Sequence, residues 1–295
     1  MQVPALSLYD PRNGDLALAI EPIGQPAAQP VPQRSNCFSI LWVHEGTGDF
    51  HAGLGRFSFS PDSLLCLTPY QAFRLSPAGA FRATAIRFHA NFLCIETHHH
   101  EVGCNGVLFN DIYGAPLVQL DEHAAAELAG LVASMQSELR GGGLAQSELL
   151  LSYLKIFLVR ATRCKIQQTQ ADQPASARRP EILVQLQEKI EANFHREHTP
   201  AAYAAMLHTS PKTLGRLVRQ HMARTLTDLI RERILKDAKW QLLHTRKPVK
   251  EIAGALGFAD VFYFSRLFKQ AAGCSPTFFR EFETEIRGGS NLSIE

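Results

Sequence analysis

The sequence predicts a two-domain α+β protein: a strand-rich N-terminal half built as a small sandwich or barrel and followed by two helices, then an all-helical C-terminal third. Three observations predict it. Short β-prone runs separated by Gly and Pro turns fill residues 37–88. Helical periodicity runs from about residue 179 to 286. Within that helical stretch the sequence repeats itself.

The strand reading rests on local pattern. Phe38-Ser39-Ile40-Leu41-Trp42-Val43 is β-prone and runs into the turn Glu45-Gly46-Thr47-Gly48. Arg56-Phe57-Ser58-Phe59-Ser60 alternates with period two, Pro61-Asp62-Ser63 reads as a turn, and Leu64–Leu67 and Thr84–Phe88 read as further strands. Residues 1–35 are rich in Pro, Gln and Ala and show no clear periodicity. One helix is expected from Asp121-Glu122 to about Arg140, stopped by Gly141-Gly142-Gly143. A second spans about 147–164 and is apolar on more than one face, the mark of a helix that is deeply buried or shared between two subunits. The polar stretch QQTQADQPASA reads as a flexible linker. The expected division is therefore 1–166, a linker at 167–178, a helical domain at 179–287 and a tail at 288–295.

With 295 residues the chain has room for two cores, and 45% hydrophobic with 20% charged residues is an ordinary globular composition. No apolar run reaches the ~18 residues of a membrane span, and Met1-Gln2-Val3-Pro4 does not open a secretory signal. A cytoplasmic location is the expectation. Cys37, Cys66, Cys94, Cys104, Cys164 and Cys274 form no C-x-x-C pair and are expected as free thiols. The formal charge of +2 hides an asymmetry: residues 178–287 hold 19 Lys+Arg against 12 Asp+Glu, whereas residues 1–177 hold 11 against 15. A basic third attached to an acidic remainder points to a polyanion-binding module.

The repeat sharpens this. Leu214-Gly215-Arg216-Leu217-Val218-Arg219-Gln220 matches Phe264-Ser265-Arg266-Leu267-Phe268-Lys269-Gln270 at an offset of 50, and Tyr203–Leu207 matches Ile252–Leu256 at 49. The one-residue difference falls in the turn between two helices, where an insertion is best tolerated. Thr199-Pro200 and Ser210-Pro211 cap the two helices of the first copy; Pro248 opens the second copy, Gly257 stops its first helix and Asp260 caps the next. Small Ala204 and Ala253 sit where the helices of each pair cross. Helix, short turn, helix is the spacing of a helix-turn-helix, at about 199–220 and 249–271, whose second helix enters a DNA major groove. Between the copies, residues 227–244 form a helical strut of roughly 27 Å, against about 34 Å between successive major-groove faces.

Residues 181–287 resemble the DNA-binding domain of the AraC/XylS family. The second copy carries Ile252-Ala253, Gly257-Phe258-x-Asp260, Tyr263-Phe264-Ser265-Arg266-x-Phe268-Lys269, Gly273-x-Ser275-Pro276 and Phe279-Arg280. Phe262 stands where the family has Ser; in the first copy Val218-Arg219 replaces Phe-Lys and Ala223 replaces Gly. These departures bear on base preference, not on fold. Lys212, Thr213 and Arg216, with Phe262, Tyr263 and Arg266, are the candidate base contacts; Arg219, Lys250 and Lys269 are the candidate phosphate contacts. A salt bridge within the domain is the competing reading for the paired arginines, and Phe262 could meet a thymine methyl or simply pack. Leu214, Leu217, Phe264, Leu267, Phe268, Ile252 and Phe258 read as core.

Residues 37–110 resemble the cupin-like sensor half of that family in pattern, through Trp42-Val43-x-Glu45-Gly46-x-Gly48 and Pro61-Asp62-Ser63-Leu64. By that resemblance the first domain is a cupin-like β-barrel with two helices after it, binding a small effector near Phe38, Trp42, His44, Phe57, Phe59 and Arg87. The expected function is a ligand-responsive transcription regulator, an activator by resemblance, homodimeric, with double-stranded DNA, an effector and RNA polymerase as partners. It is not expected to be an enzyme or to need a cofactor, and no membrane partner is expected: His44 and His51 lie seven apart, without the H-x-H pair of a cupin metal centre. Two rivals remain: a constitutive DNA-binding dimer, and a metal- or redox-sensing regulator built on Cys94, His98, His100 and Cys104.

Overall fold

The computed structural model describes residues 6–9, 16–24, 35–53, 55–93, 107–109, 111–171 and 180–286. The chain divides into two compact units. Gly53–Gly55 and Ile112–Ala115 group with the C-terminal unit, and the rest of the chain before Pro174 forms the first.

The first unit contains β1 (Leu6–Tyr9), β2 (Leu16–Ile23), β3 (Phe38–Glu45), β4 (Gly48–Ala52), β5 (Gly55–Phe59), β6 (Ser63–Leu67), β7 (Phe73–Pro77), β8 (Arg82–Phe88) and β9 (Leu117–Gln119), then α1 (Glu122–Gly141) and α2 (Gln146–Ala171). Among the described residues the ladders form two sheets, of order β1-β2-β8-β3-β6-β9 and β5-β4-β7, rather than one closed barrel. Two expectations change. The stretch without periodicity contains β2, which pairs with β8 from Leu18↔Phe88 to Ile23↔Ala83. Its Ala17, Leu18, Ala19 and Ile20 are all buried, so no in-out alternation was there to read. And α2 runs on to Ala171, so the first residues of the expected linker are helical; Thr169 Oγ1 donates to the Lys165 carbonyl at 2.9 Å within it.

One face of the large sheet packs against the helices. Residues opposite each other on paired strands share a face, so the register places Phe38, Ile40 and Trp42 with Phe88, Ile86 and Thr84. With Leu128, Val132 and Met135 of α1 and Leu150, Leu154, Phe157, Leu158 and Ala161 of α2, the apolar Phe38, Ile40, Trp42, Phe88 and Ile86 form one buried cluster. Burying each of the large α2 side chains contributes about 2 kcal/mol. The other side of α2 leaves Leu149 40% and Ile156 46% exposed.

The second unit contains α3 (Glu181–Asn193), α4 (Pro200–Met206), α5 (Pro211–Met222), α6 (Leu226–His244), α7 (Val249–Ala255), α8 (Val261–Ala272) and α9 (Pro276–Ile286). Thr225 caps α6 through a capping box with Asp228. The 19 residues of α6 span about 28 Å. Arg233 on α6 bonds Glu191 of α3 at 2.7 Å and lies 3.8 Å above the Phe194 ring. Arg280 of α9 donates to the carbonyls of Leu242 at 3.2 Å and Lys247 at 2.6 Å, tying α9 to the end of α6.

The duplication reaches further than its motifs. Ala223 ends α5 in the left-handed region at φ 53°, as Gly273 ends α8 at 87°. Thr225 then opens α6, as Ser275 opens α9 by accepting from the Phe278 N–H at 3.2 Å. Each copy is thus three helices, α4-α5-α6 and α7-α8-α9. A left-handed alanine costs about 1–2 kcal/mol, and glycine's greater freedom in the unfolded chain returns about half to one. Ala223→Gly is therefore expected to stabilise the chain by about 0.5–1 kcal/mol in urea denaturation; a loss of stability would refute the strain.

Candidate nucleic-acid interface

The two helix-turn-helix turns match bond for bond. Leu207, His208 and Thr209 donate their backbone N–H groups to the carbonyls of Tyr203, Ala205 and Ala204 at 3.1, 3.1 and 3.0 Å. Leu256, Gly257 and Phe258 donate to Ile252, Gly254 and Ala253 at 3.0, 3.0 and 2.9 Å. The residue that turns the chain is left-handed in both, His208 at φ 49° and Gly257 at 79°. The extra residue of the second copy is Ala259, inserted between the last of these bonds and the helix cap. Ala204 and Ala253 are buried, which lets the helices of each pair cross closely.

The caps then aim the second helix. The Ser210 Oγ accepts the Thr213 N–H at 3.1 Å and lies 2.9 Å from the Thr213 hydroxyl. In the second copy the Asp260 carboxylate accepts the Phe262 N–H at 2.8 Å. Each cap satisfies a donor that the first turn leaves open.

Burial divides both second helices in the same way. Leu214, Val218 and Met222 of α5 are buried, as are Phe264, Phe268 and Ala272 of α8. Leu217 and Leu267, expected in the core, are only partly buried. The exposed faces carry Lys212, Thr213, Arg216, Arg219 and Gln220 on α5, and Phe262, Tyr263, Arg266, Lys269 and Gln270 on α8. All six candidate base contacts lie on these two faces, one set per helix. The candidate phosphate contacts Arg219 and Lys269 occupy matching positions a turn further on, and Lys250 is exposed at the start of α7. Among the described residues neither Arg216 nor Arg266 forms a salt bridge, so the in-domain pairing does not account for them.

Behind α4, Tyr203 is fully buried and its Oη donates to the Glu197 carbonyl at 2.9 Å. Burial, with the nearby Glu197 and Glu191 charges, pushes the phenol up to about 12, so it stays a neutral donor. Ile252 and Phe258 are buried as expected, and the Phe258 ring lies tilted against His198 at 4.7 Å and Tyr263 at 5.9 Å.

In the first unit the six candidate effector residues do not share a face. Phe38 and Trp42 lie in the helix-covered core, Phe38 stacked on Phe88 at 5.4 Å. His44 bonds the Thr84 hydroxyl at 2.8 Å, and burial lowers its pKa. Arg87 lies opposite Ser39 on the other face and pairs with Glu21 at 2.6 Å. Phe57 and Phe59 are buried on β5, the latter edge-on to Phe81 at 5.7 Å. An open hollow of about 380 Å³ is lined by Glu45, Gly46, Thr47, Pro61, Ala78, Gly79 and Ala80, none of them a candidate. Cys94, His98, His100 and Cys104 lie outside the described residues; among those described, no group of three or more His, Cys, Asp or Glu side chains could hold a metal ion. No described helix is long and apolar enough to cross a membrane.

Two short helix pairs with matched turns and matched exposed faces define a tandem helix-turn-helix DNA-binding domain. Residues 203–281 match the family described as a helix-turn-helix domain. The arabinose operon regulatory protein of Salmonella typhimurium is 35% identical over 80 residues, 27% of this chain and 28% of that protein. The transcriptional activator RhaR of Klebsiella pneumoniae is 28% identical over 139 residues, 47% of each chain. The solved structure of ToxT from Vibrio cholerae O395 is 15% identical, with a TM-score of 0.38, and covers 91% of this chain and 98% of its own. The chain spans less than half the length of those two curated relatives. The segment that these matches share is a helix-turn-helix domain of the AraC/XylS type.

Proposed function

We propose that this chain is a sequence-specific DNA-binding transcription regulator, acting as an effector-responsive activator, rather than an enzyme. The observation that carries the reading is the pair of exposed faces on α5 and α8, in one register, each with an arginine at the same position. In this reading Lys212, Thr213, Arg216, Phe262, Tyr263 and Arg266 meet base edges, while Arg219, Lys250 and Lys269 hold phosphates. One chain occupies two successive major grooves, with α6 as the strut. The relatives' printed names, an operon regulator and a transcriptional activator, support the regulatory role. An activator would also engage RNA polymerase.

The first unit is assigned effector binding and self-association. Leu149 and Ile156, exposed on α2 opposite its buried face, favour a second copy there. The strands carrying Phe38, Trp42, His44, Phe57, Phe59 and Arg87 are the proposed walls of the effector site.

The test is selection of duplexes from a random pool with the full chain, repeated over a salt series. The expected motif has two blocks about one helical turn apart, present twice if the chain binds as a dimer. Affinity should fall steeply with salt. Failure to enrich any motif over random DNA would reject the reading.

A further inference from the structure

The two recognition faces share a register but not a chemistry. At the second and third positions of the helix α5 offers Lys212 and Thr213, a cation and a hydroxyl; α8 offers Phe262 and Tyr263. Phe262 has no hydrogen-bonding group, yet it is 76% exposed and is not packed into the core. Its place in the first turn is held by the Asp260 cap on its N–H, so the ring projects from the end of the helix that leads into the groove. Arg266 and Lys269 follow on the same face, which pairs this apolar tip with cations suited to a polyanion. In a major groove the one apolar group on a base-pair edge is the C5-methyl of thymine.

We propose that the second helix-turn-helix reads thymine methyl groups through Phe262, whereas the first reads hydrogen-bonding base edges through Lys212 and Arg216. This rests on the DNA-binding reading above and assigns a base class to one half of the site. Tyr263 stands beside it in the chain, half exposed and in ring contact with Phe258.

The experiment uses the full chain and a duplex enriched by the selection above. Arg266→Ala first identifies the half-site that α8 occupies, by the positions at which discrimination is lost. Each thymine in that half is then replaced by deoxyuridine, which removes the methyl and keeps the base pair. One or two positions should weaken binding about fourfold each, the worth of one buried apolar carbon. Phe262→Ala should weaken the parent duplex by a similar factor and be indifferent to deoxyuridine at those positions. Because Phe262 is exposed, the variant should keep the parent's melting temperature, which is checked alongside. Deoxyuridine in the other half should have the same effect in both proteins. If the substitutions are silent in the α8 half, or if Phe262→Ala keeps full sensitivity to them, the proposal is wrong while DNA recognition itself stands. If no duplex is enriched at all, the functional reading fails first.

Discussion

Replacing Gly257 with alanine should lower the melting temperature of the helical unit by roughly 12 °C or more. Gly257 turns the chain between α7 and α8 at φ 79°. A Cβ there would lie 2.5 Å from the His195 carbonyl oxygen, 3.2 Å from its carbon and 3.2 Å from the His198 Nε2. The left-handed conformation alone costs an L-residue about 1–2 kcal/mol. His208 bears that cost at the same place in the first copy, at φ 49°. The larger part at Gly257 is contact with backbone, which cannot rotate away. A total of about 3 kcal/mol follows, and each kcal/mol moves a domain of this size by about 4–8 °C. His208→Gly is the control, since it relieves the left-handed cost and adds no atoms, and should move the transition slightly upward. Melting followed by helical circular dichroism checks both. A shift of under about 3 °C for Gly257→Ala would mean that the α3–α4 connection yields easily and that the close approach constrains little.

Of the two units, the helical one is the more legible in sequence. Its signals are local: caps at Thr199, Ser210 and Asp260, a stop at Gly257, and apolar residues at helical spacing, all readable without knowing what packs where. The further reach of the duplication is harder to read because its paired residues differ in type. Ala223 stands where the family pattern has Gly, and the left-handed backbone it shares with Gly273 shows the two positions to be equivalent; Thr225-Leu226 resembles Ser275-Pro276 only as a pair of helix starts. The strand-rich unit was harder for the opposite reason. The first half of β2 is buried on both sides and shows no alternation; β4 opens on Gly48, the last residue of the turn read at Glu45-Gly46-Thr47-Gly48; β9 is three residues long. Alternation marked Phe38 and Trp42 as sharing a face, but only the register and the covering helices show that this face meets α1 and α2. The exposure of the DNA candidates is legible because an exposed face on a capped amphipathic helix follows from the helix itself.

Arg266→Ala should cost the chain about 5- to 150-fold in affinity for its specific duplex, the worth of about 1–3 kcal/mol for a bidentate arginine–guanine pair. Random DNA should lose far less. Arg216→Ala should do the same at the other block of the motif, because the two arginines hold one position in a repeated face. They stand on separate recognition helices, so the double variant should lose the product of the two factors. Arg266→Lys keeps the charge but lacks the planar fork, and should recover non-specific binding without recovering discrimination. Lys269→Ala and Arg219→Ala are the contrast. A lost phosphate contact weakens every sequence about equally and lowers the salt slope by about one. Titration of each variant on the enriched and a random duplex at several salt concentrations separates the two classes. Equal losses on both duplexes for Arg266→Ala would make it a phosphate contact and leave Phe262 and Tyr263 as the only candidates on α8 for reading bases. The arginine result therefore decides how far the apolar tip of that helix must carry specificity by itself.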